Sequence, residues 1–243
     1  MRTRFVCPVA RLHLMQHTDV MSLEEIWPPY ALTIACGNMT LSPVHDSDLP
    51  ELAALATGGV QTHPGAFIVD WDQGTAAEVA RNLATYHWRT RAATNPDEWT
   101  LELTVRVDGE AVGVQSAGAR AFAERRTVAT GSWLSRKHQG RGIGTRMRQV
   151  IAVTCFDRFG ARELVTSYFE GNSSSRRVSE KVGYVDNGSL IDVSASGTHV
   201  GREYSMLLTP DRLIRPDDEV TVAGAEVVAE LLQLPTATRA REE

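Results

Sequence analysis

Gly140, Gly142 and Gly144 alternate inside Gln139–Thr145, and Arg136, Lys137, Arg141, Arg146 and Arg148 surround them. No acidic residue interrupts the run from 135 to 148. The chemistry this spacing offers is anion binding. A glycine turn that opens a helix gathers unpaired backbone N–H groups at the positive end of the helix dipole. Glycine also lets a phosphate approach without obstruction by a Cβ. Two common phosphate loops do not fit. A P-loop requires Gly-Lys-Ser/Thr, whereas Gly144-Thr145 is followed by Arg146. A dinucleotide fingerprint requires G-x-G-x-x-G and repeated βαβ units, whereas the spacing here is G-x-G-x-G.

The elements that must hold this turn can be read from periodicity. Residues 30–44 read as two short strands broken at Gly37-Asn38. A helix follows, capped by Asp46 or Ser47, with Leu49, Leu52, Ala53 and Ala56 on one face. Residues 58–73 read as a loop. A second helix spans 75–93, with a stripe through Val79, Leu83, Tyr86 and Thr90. Residues 98–119 alternate apolar and polar on both sides of Asp108-Gly109, which predicts a hairpin. A third strand over 126–135 leads into the glycine turn. The helix after it carries Ile143, Met147, Val150, Ile151 and Cys155, with Gly160 as its stop. Next come a strand over 163–169, a capped helix over 172–183, two closing strands, and a further strand, short helix and polar tail after Pro216.

Composition narrows the class. The chain has 243 residues, a formal net charge of −5 and 42% hydrophobic residues. This is ample for one core, and the negative total disfavours a nucleic-acid surface. No apolar run reaches membrane-spanning length, and residues 1–16 lack the continuous apolar core of a secretory signal. Cys7, Cys36 and Cys155 form neither a disulfide framework nor a zinc pattern. A cytoplasmic protein without a metal, a membrane partner or a nucleic-acid partner is the expectation.

Gln139-Gly140-Arg141-Gly142-Ile143-Gly144-Thr145 resembles the Q/R-x-x-G-x-G/A signature of the GCN5-related N-acetyltransferases (GNAT). "TGSWLSRKHQGRGIGTRMR" and "FEGNSSSRRVSEKVGY" are similar to the RimJ/RimL branch of that superfamily. The likeness spans roughly 27–209, leaving 1–26 and 210–243 as extensions. It implies an α/β (α+β) fold: a mixed, mostly antiparallel sheet of six to seven strands, helices on both faces, and a V-shaped splay between central strands. It further implies that Gln139 to Thr145 cradle the pyrophosphate of acetyl-CoA. The pantetheine arm would lie along the strand ending at Trp133, Leu134 and Ser135, with a backbone N–H near Trp133 or Leu134 polarising the carbonyl. Asn172 and Ser175 match the pantetheine-binding positions; Asn172 also reads as a helix N-cap. Many relatives place a tyrosine acid seven residues after that asparagine. Here Ser179 stands there, either donating a hydrogen bond to the departing thiolate or acting as a small helix residue.

No glutamate stands on the "TVATGSW" strand, where several relatives carry a base. Glu170, His63, Asp70 and His87 are the candidates, with a water relay as an alternative. The loop containing Phe67 and Trp71, and the helix containing Trp88, are placed by the likeness at the acceptor cleft. Gln115 is read as facing the acyl group or acceptor. The implied reaction is direct transfer of acetyl from acetyl-CoA to a primary amine of a protein, peptide or small molecule, by a monomer or homodimer. A succinyl-CoA enzyme and an acyl-CoA-sensing module are the alternatives.

Overall fold

The computed structural model describes residues 20–60, 71–193 and 200–235. Its strands are β1 (Thr33–Cys36), β2 (Met39–Pro43), β3 (Glu98–Val107), β4 (Glu110–Arg120), β5 (Thr127–Leu134), β6 (Glu163–Phe169), β7 (Val185–Val193), β8 (Val200–Leu208) and β9 (Val220–Ala223). The helices are α1 (Leu23–Ile26), α2 (Leu49–Thr57), α3 (Ala76–Ala93), α4 (Phe122–Arg125), α5 (Ile143–Asp157), α6 (Ser173–Val182) and α7 (Ala225–Leu231). All strands join one sheet in the order β7-β8-β6-β5-β4-β3-β2-β1-β9. Every neighbouring pair is antiparallel except β5–β6. The β3–β4 hairpin turns at Asp108 and Gly109, both at positive φ (52° and 83°), as a tight hairpin of right-handed strands requires.

The alternation along β3 and β4 sorts the core into two layers. Leu101, Leu103 and Val105 face α5, where Met147, Ile151 and Cys155 are fully buried. Val114 and Ala111 belong to the opposite layer, with Leu52 of α2 and Val79 and Leu83 of α3. The α3 stripe closes on His87 rather than on Tyr86, which is 42% exposed. Starting from Leu83, a four-residue step keeps His87 on the buried face.

Among the described residues the sheet has nine strands rather than six or seven. The additional edge comes from the C-terminal segment: β9 pairs along the whole of β1, whose four residues would otherwise end the sheet with an open edge. Val228, Leu232 and Leu234 then enter the same core as α5. Gly224 (φ 74°) permits this approach, since a Cβ there would strike the carbonyl oxygen of Ala31.

β5 and β6 are in register only from Thr127↔Glu163 to Ala129↔Val165. Beyond that point side chains replace the ladder. Thr166 Oγ1 donates to the Thr130 carbonyl (2.9 Å), Thr130 Oγ1 donates to the Val165 carbonyl (3.3 Å), and the Tyr184 hydroxyl lies 3.0 Å from Thr130 Oγ1. These bonds satisfy the polar groups where the strands part. Beyond Thr130, up to Leu134, the β6-facing edge of β5 pairs with no described strand, and this gap is the expected splay.

Candidate active site

The glycine turn sits at the mouth of the gap. Ser135 is buried and donates its N–H to the Val112 carbonyl (3.0 Å), which ends the strand and begins a single 3-10 turn over Arg136–His138. Gln139 anchors the next step, its side-chain amide donating to the carbonyls of Val60 (2.8 Å) and Leu134 (2.9 Å). Gly140 and Gly142 both take positive φ (75° and 79°), and a Cβ on either would meet nothing within 4 Å. Gly142 is the N-cap of α5, and Ile143 packs against the core. The N–H of Thr145 returns to the Gly142 carbonyl. Those of Gly140, Arg141, Gly142, Ile143 and Gly144 donate to no described residue. Open space in front of bare donors at a helix N-terminus is a cradle that fits a pyrophosphate.

The basic side chains divide. Arg146 is bound to Asn38 (2.7 Å), Arg136 lies over Gly59, and Arg148 is buried. Lys137 and Arg141 remain at the turn without an ion pair among the described residues. Burial, then the charges of Lys137 and Arg141, hold the adjacent His138 below its ordinary pKa.

Alternation along β5 decides which backbone groups reach the gap. Ser135 N–H faces β4, so Trp133 and Gly131 do as well, while Leu134, Ser132 and Thr130 face away from it. The Thr166 bond to the Thr130 carbonyl agrees with this parity. Of the two candidate carbonyl-polarising groups, Leu134 therefore turns its N–H into the gap, and Trp133 does not. Trp133 instead directs its ring to the α2–α3 side, 5.6 Å from the Trp71 ring.

α6 closes the other side. Asn172 caps it, accepting from the Ser175 N–H (3.1 Å). Ser179 is fully buried; its Oγ donates to the Ser175 carbonyl (2.9 Å) and accepts from Arg148 Nη1 (2.6 Å). The single hydroxyl proton of Ser179 is thus held within its own helix. Tyr184 is core, its phenol pushed up to about 12 chiefly by burial.

Gln115 is buried on the α5 side of β4, donating to the carbonyls of Gly131 (2.8 Å) and Ser116 (3.0 Å), and so does not face the acceptor side. Trp88 is half exposed and donates to Asp46. His87 is buried and its pKa falls to about 4, from burial first and then from Arg91. Glu170 is exposed just beyond β6. His63, Phe67 and Asp70 lie outside the described residues.

Periodicity hides one carboxylate, because it reads as the polar half of a β3 alternation. Glu102 stands in register with Ser116 of β4, which stands in register with Gly131 of β5, so all three share the α2–α3 face. Its Oε1 accepts from the Tyr86 hydroxyl of α3 (2.8 Å). Burial raises its pKa to about 7, against the lowering effect of hydrogen bonds from Tyr86 and Ser116. Gly131 leaves the row open toward β5, since a Cβ there would touch only Ser116 Cβ, at 4.0 Å. No sequence signal marks Glu102, because its row-mates belong to strands that meet it only in the sheet.

A splayed parallel pair, a glycine cradle at its mouth and an open strand edge define an acyl-CoA-dependent transferase. The sequence profile of the acetyltransferase (GNAT) domain matches residues 38–185, and the chain belongs to that family, whose acyl donor is acetyl-CoA. It is 23% identical over 172 residues to "Putative ribosomal N-acetyltransferase YdaF" of Bacillus subtilis, covering 70% of this chain and 91% of that one. Its fold is similar to that of Mycobacterium smegmatis RimJ in complex with CoA-disulfide (TM-score 0.58, 17% identity, 84% of this chain and 95% of that one). It is also similar to Vibrio cholerae spermidine N-acetyltransferase with CoA and spermine (TM-score 0.54, 13% identity, 72% and 98%). No helix among the described residues is long and apolar enough to cross a membrane, and they hold no metal-binding cluster.

Proposed function

We propose that this acetyltransferase acylates a primary amine at a peptide N-terminus, by direct attack within a ternary complex. The observation that carries the mechanism is the placement of the bare N–H groups of residues 140–144 at the mouth of the gap into which Leu134 turns its own N–H. When bound, acetyl-CoA supplies the thioester and its thiol leaving group. The cradle holds the pyrophosphate, Asn172 and Ser175 line the arm, and Leu134 N–H polarises the carbonyl. Glu102 receives the amine's proton, along the open row over Gly131 or through one water. A carboxyl that titrates near neutrality is matched to that task.

For the acceptor, the ribosomal designation of the Bacillus subtilis relative supports a peptide amine, and the spermidine enzyme of the same fold supplies the competing class. The Trp71–Trp133 pair offers an apolar wall for the first side chain of a peptide, which a polyamine lacks. The test is release of free thiol from acetyl-CoA in the presence of a peptide with a free N-terminus, the same peptide blocked at its N-terminus but carrying lysine, or spermidine. Turnover with the free N-terminus alone is expected. Turnover confined to spermidine would reject the peptide assignment.

A further inference from the structure

We propose that Arg148 carries the charge of the departing sulfur, and that Ser179 and Ser132 position it. The inference rests on the acetyl-CoA reading above and adds a catalytic residue to it. Arg148 is only 4% exposed, and no described carboxylate pairs with it. Nη1 donates to Ser179 Oγ (2.6 Å) and Nη2 to Ser132 Oγ (3.1 Å), while Nε has no partner. Burying a guanidinium without a counter-charge is costly, and protein interiors ordinarily pair such a group.

Its place in the fold gives the reason for tolerating that cost. Ser132 lies on the part of β5 that has lost β6, and Ser179 lies on the helix that follows β6. The guanidinium therefore links the two sides of the gap. A second buried orphan belongs to the cross-strand neighbour of Ser132: Gln115, in register with it, has an unpartnered Oε1. An unmatched charge and an unmatched acceptor that share Ser132 as a neighbour mark a place completed by a polar ligand.

The partners also select the kind of anion. Both Nη groups are held by neutral hydroxyls, so the fork is not free for bidentate capture of a carboxylate. The charge itself is uncompensated, which suits a single-atom anion such as a thiolate. Ser179, with its proton on the Ser175 carbonyl, orients the arginine. In the transfer, the amine nitrogen forms the new C–N bond, the C–S bond breaks, and its electron pair leaves on sulfur. The amine's proton goes to Glu102 or water. Arg148 keeps its own proton and stabilises the sulfur by charge, and solvent later protonates the thiolate.

The thiol of bound CoA reports this directly. The reference is the thiol of free CoA titrated under the same conditions. In the unmodified protein, the ultraviolet absorbance of bound CoA should show its thiol titrating at least about one unit lower. CoA should correspondingly gain about tenfold over desulfo-CoA in affinity as the pH rises. Arg148→Met should abolish both effects and lower kcat about a hundredfold, with the KM for acetyl-CoA nearly unchanged. Its thermal midpoint should hold or rise, because an unpaired buried charge is gone; a merely structural arginine would give a lower one. Ser179→Ala should lower kcat roughly tenfold while keeping part of the thiol shift. A bound thiol that titrates at or above the free value overturns the proposal without any variant. So does a folded Arg148→Met protein that keeps the shift, or one that loses only succinyl-CoA turnover, which would make Arg148 a carboxylate receptor. Failure of the unmodified protein to bind either CoA or acetyl-CoA would instead reject the underlying acetyl-CoA reading.

Discussion

Gly142 and Glu102 represent two kinds of functional residue, one defined by an absent side chain and the other by its neighbours. At Gly142, Asp would place a carboxylate in the open space before the bare N–H groups. The left-handed conformation costs a non-glycine residue about 1–2 kcal/mol, so the fold should survive. Gly142→Asp should retain the native circular-dichroism spectrum and lose CoA binding by calorimetry. At Glu102 the sign of the pH dependence follows from a folded-state pKa near 7, above the ordinary carboxylate range. The base form appears as pH rises, so kcat/KM should climb to a plateau above about 7. Glu102→Gln should remove that limb and lower the rate about 10²–10⁴-fold. Linkage gives a second readout. Between the unfolded and folded pKa values the folded chain holds a proton that the unfolded chain has lost. Any stability from that proton is therefore full below the unfolded pKa and is lost as pH rises through about 7. The thermal midpoint of Glu102→Gln relative to the parent should rise from pH 5 to pH 8.

At the scale of elements, α6 and β5 must be held apart yet fixed. The Thr130, Thr166 and Tyr184 hydroxyls tie the point of divergence, and the Asn172 cap fixes the start of α6. Asn172→Ala leaves the Ser175 N–H without that acceptor and should cost about 1 kcal/mol in denaturant unfolding. It should also raise the KM for acetyl-CoA, because α6 lines the gap. A stability loss with unchanged KM would confine Asn172 to capping.

The whole molecule depends on its last described segment. β9 covers the β1 edge, and α7 carries Val228 into the core, with Leu232 and Leu234 following directly after it. Leu232 is 2% exposed, so Leu232→Ala should destabilise the protein by about 2–5 kcal/mol. Four strands separate β9 from β5, whose open edge faces the gap, so kcat at a temperature well below the midpoint should be unchanged. A stability near that of the parent would show the segment to be dispensable.

By itself the sequence determined whatever rests on local backbone chemistry. The Asp108-Gly109 hairpin needs only residues that accept positive φ, and the Gly140–Gly144 turn needs only glycines before a periodic helix. The order of strands and helices followed from alternation and 3.6-residue spacing. Tertiary structure alone decided what depends on residues remote in the chain. Strand parity, fixed by the Ser135–Val112 bond, chose Leu134 over Trp133. Sheet register brought Glu102, Ser116 and Gly131 into one row, although 29 positions separate the first from the last. In the sequence, Arg148 belongs to a basic run around a phosphate turn. Only the rotation of α5 against β5 and α6 turns it inward, where low polarity and the lack of a carboxylate partner among the described residues make it a buried charge instead of a solvated one.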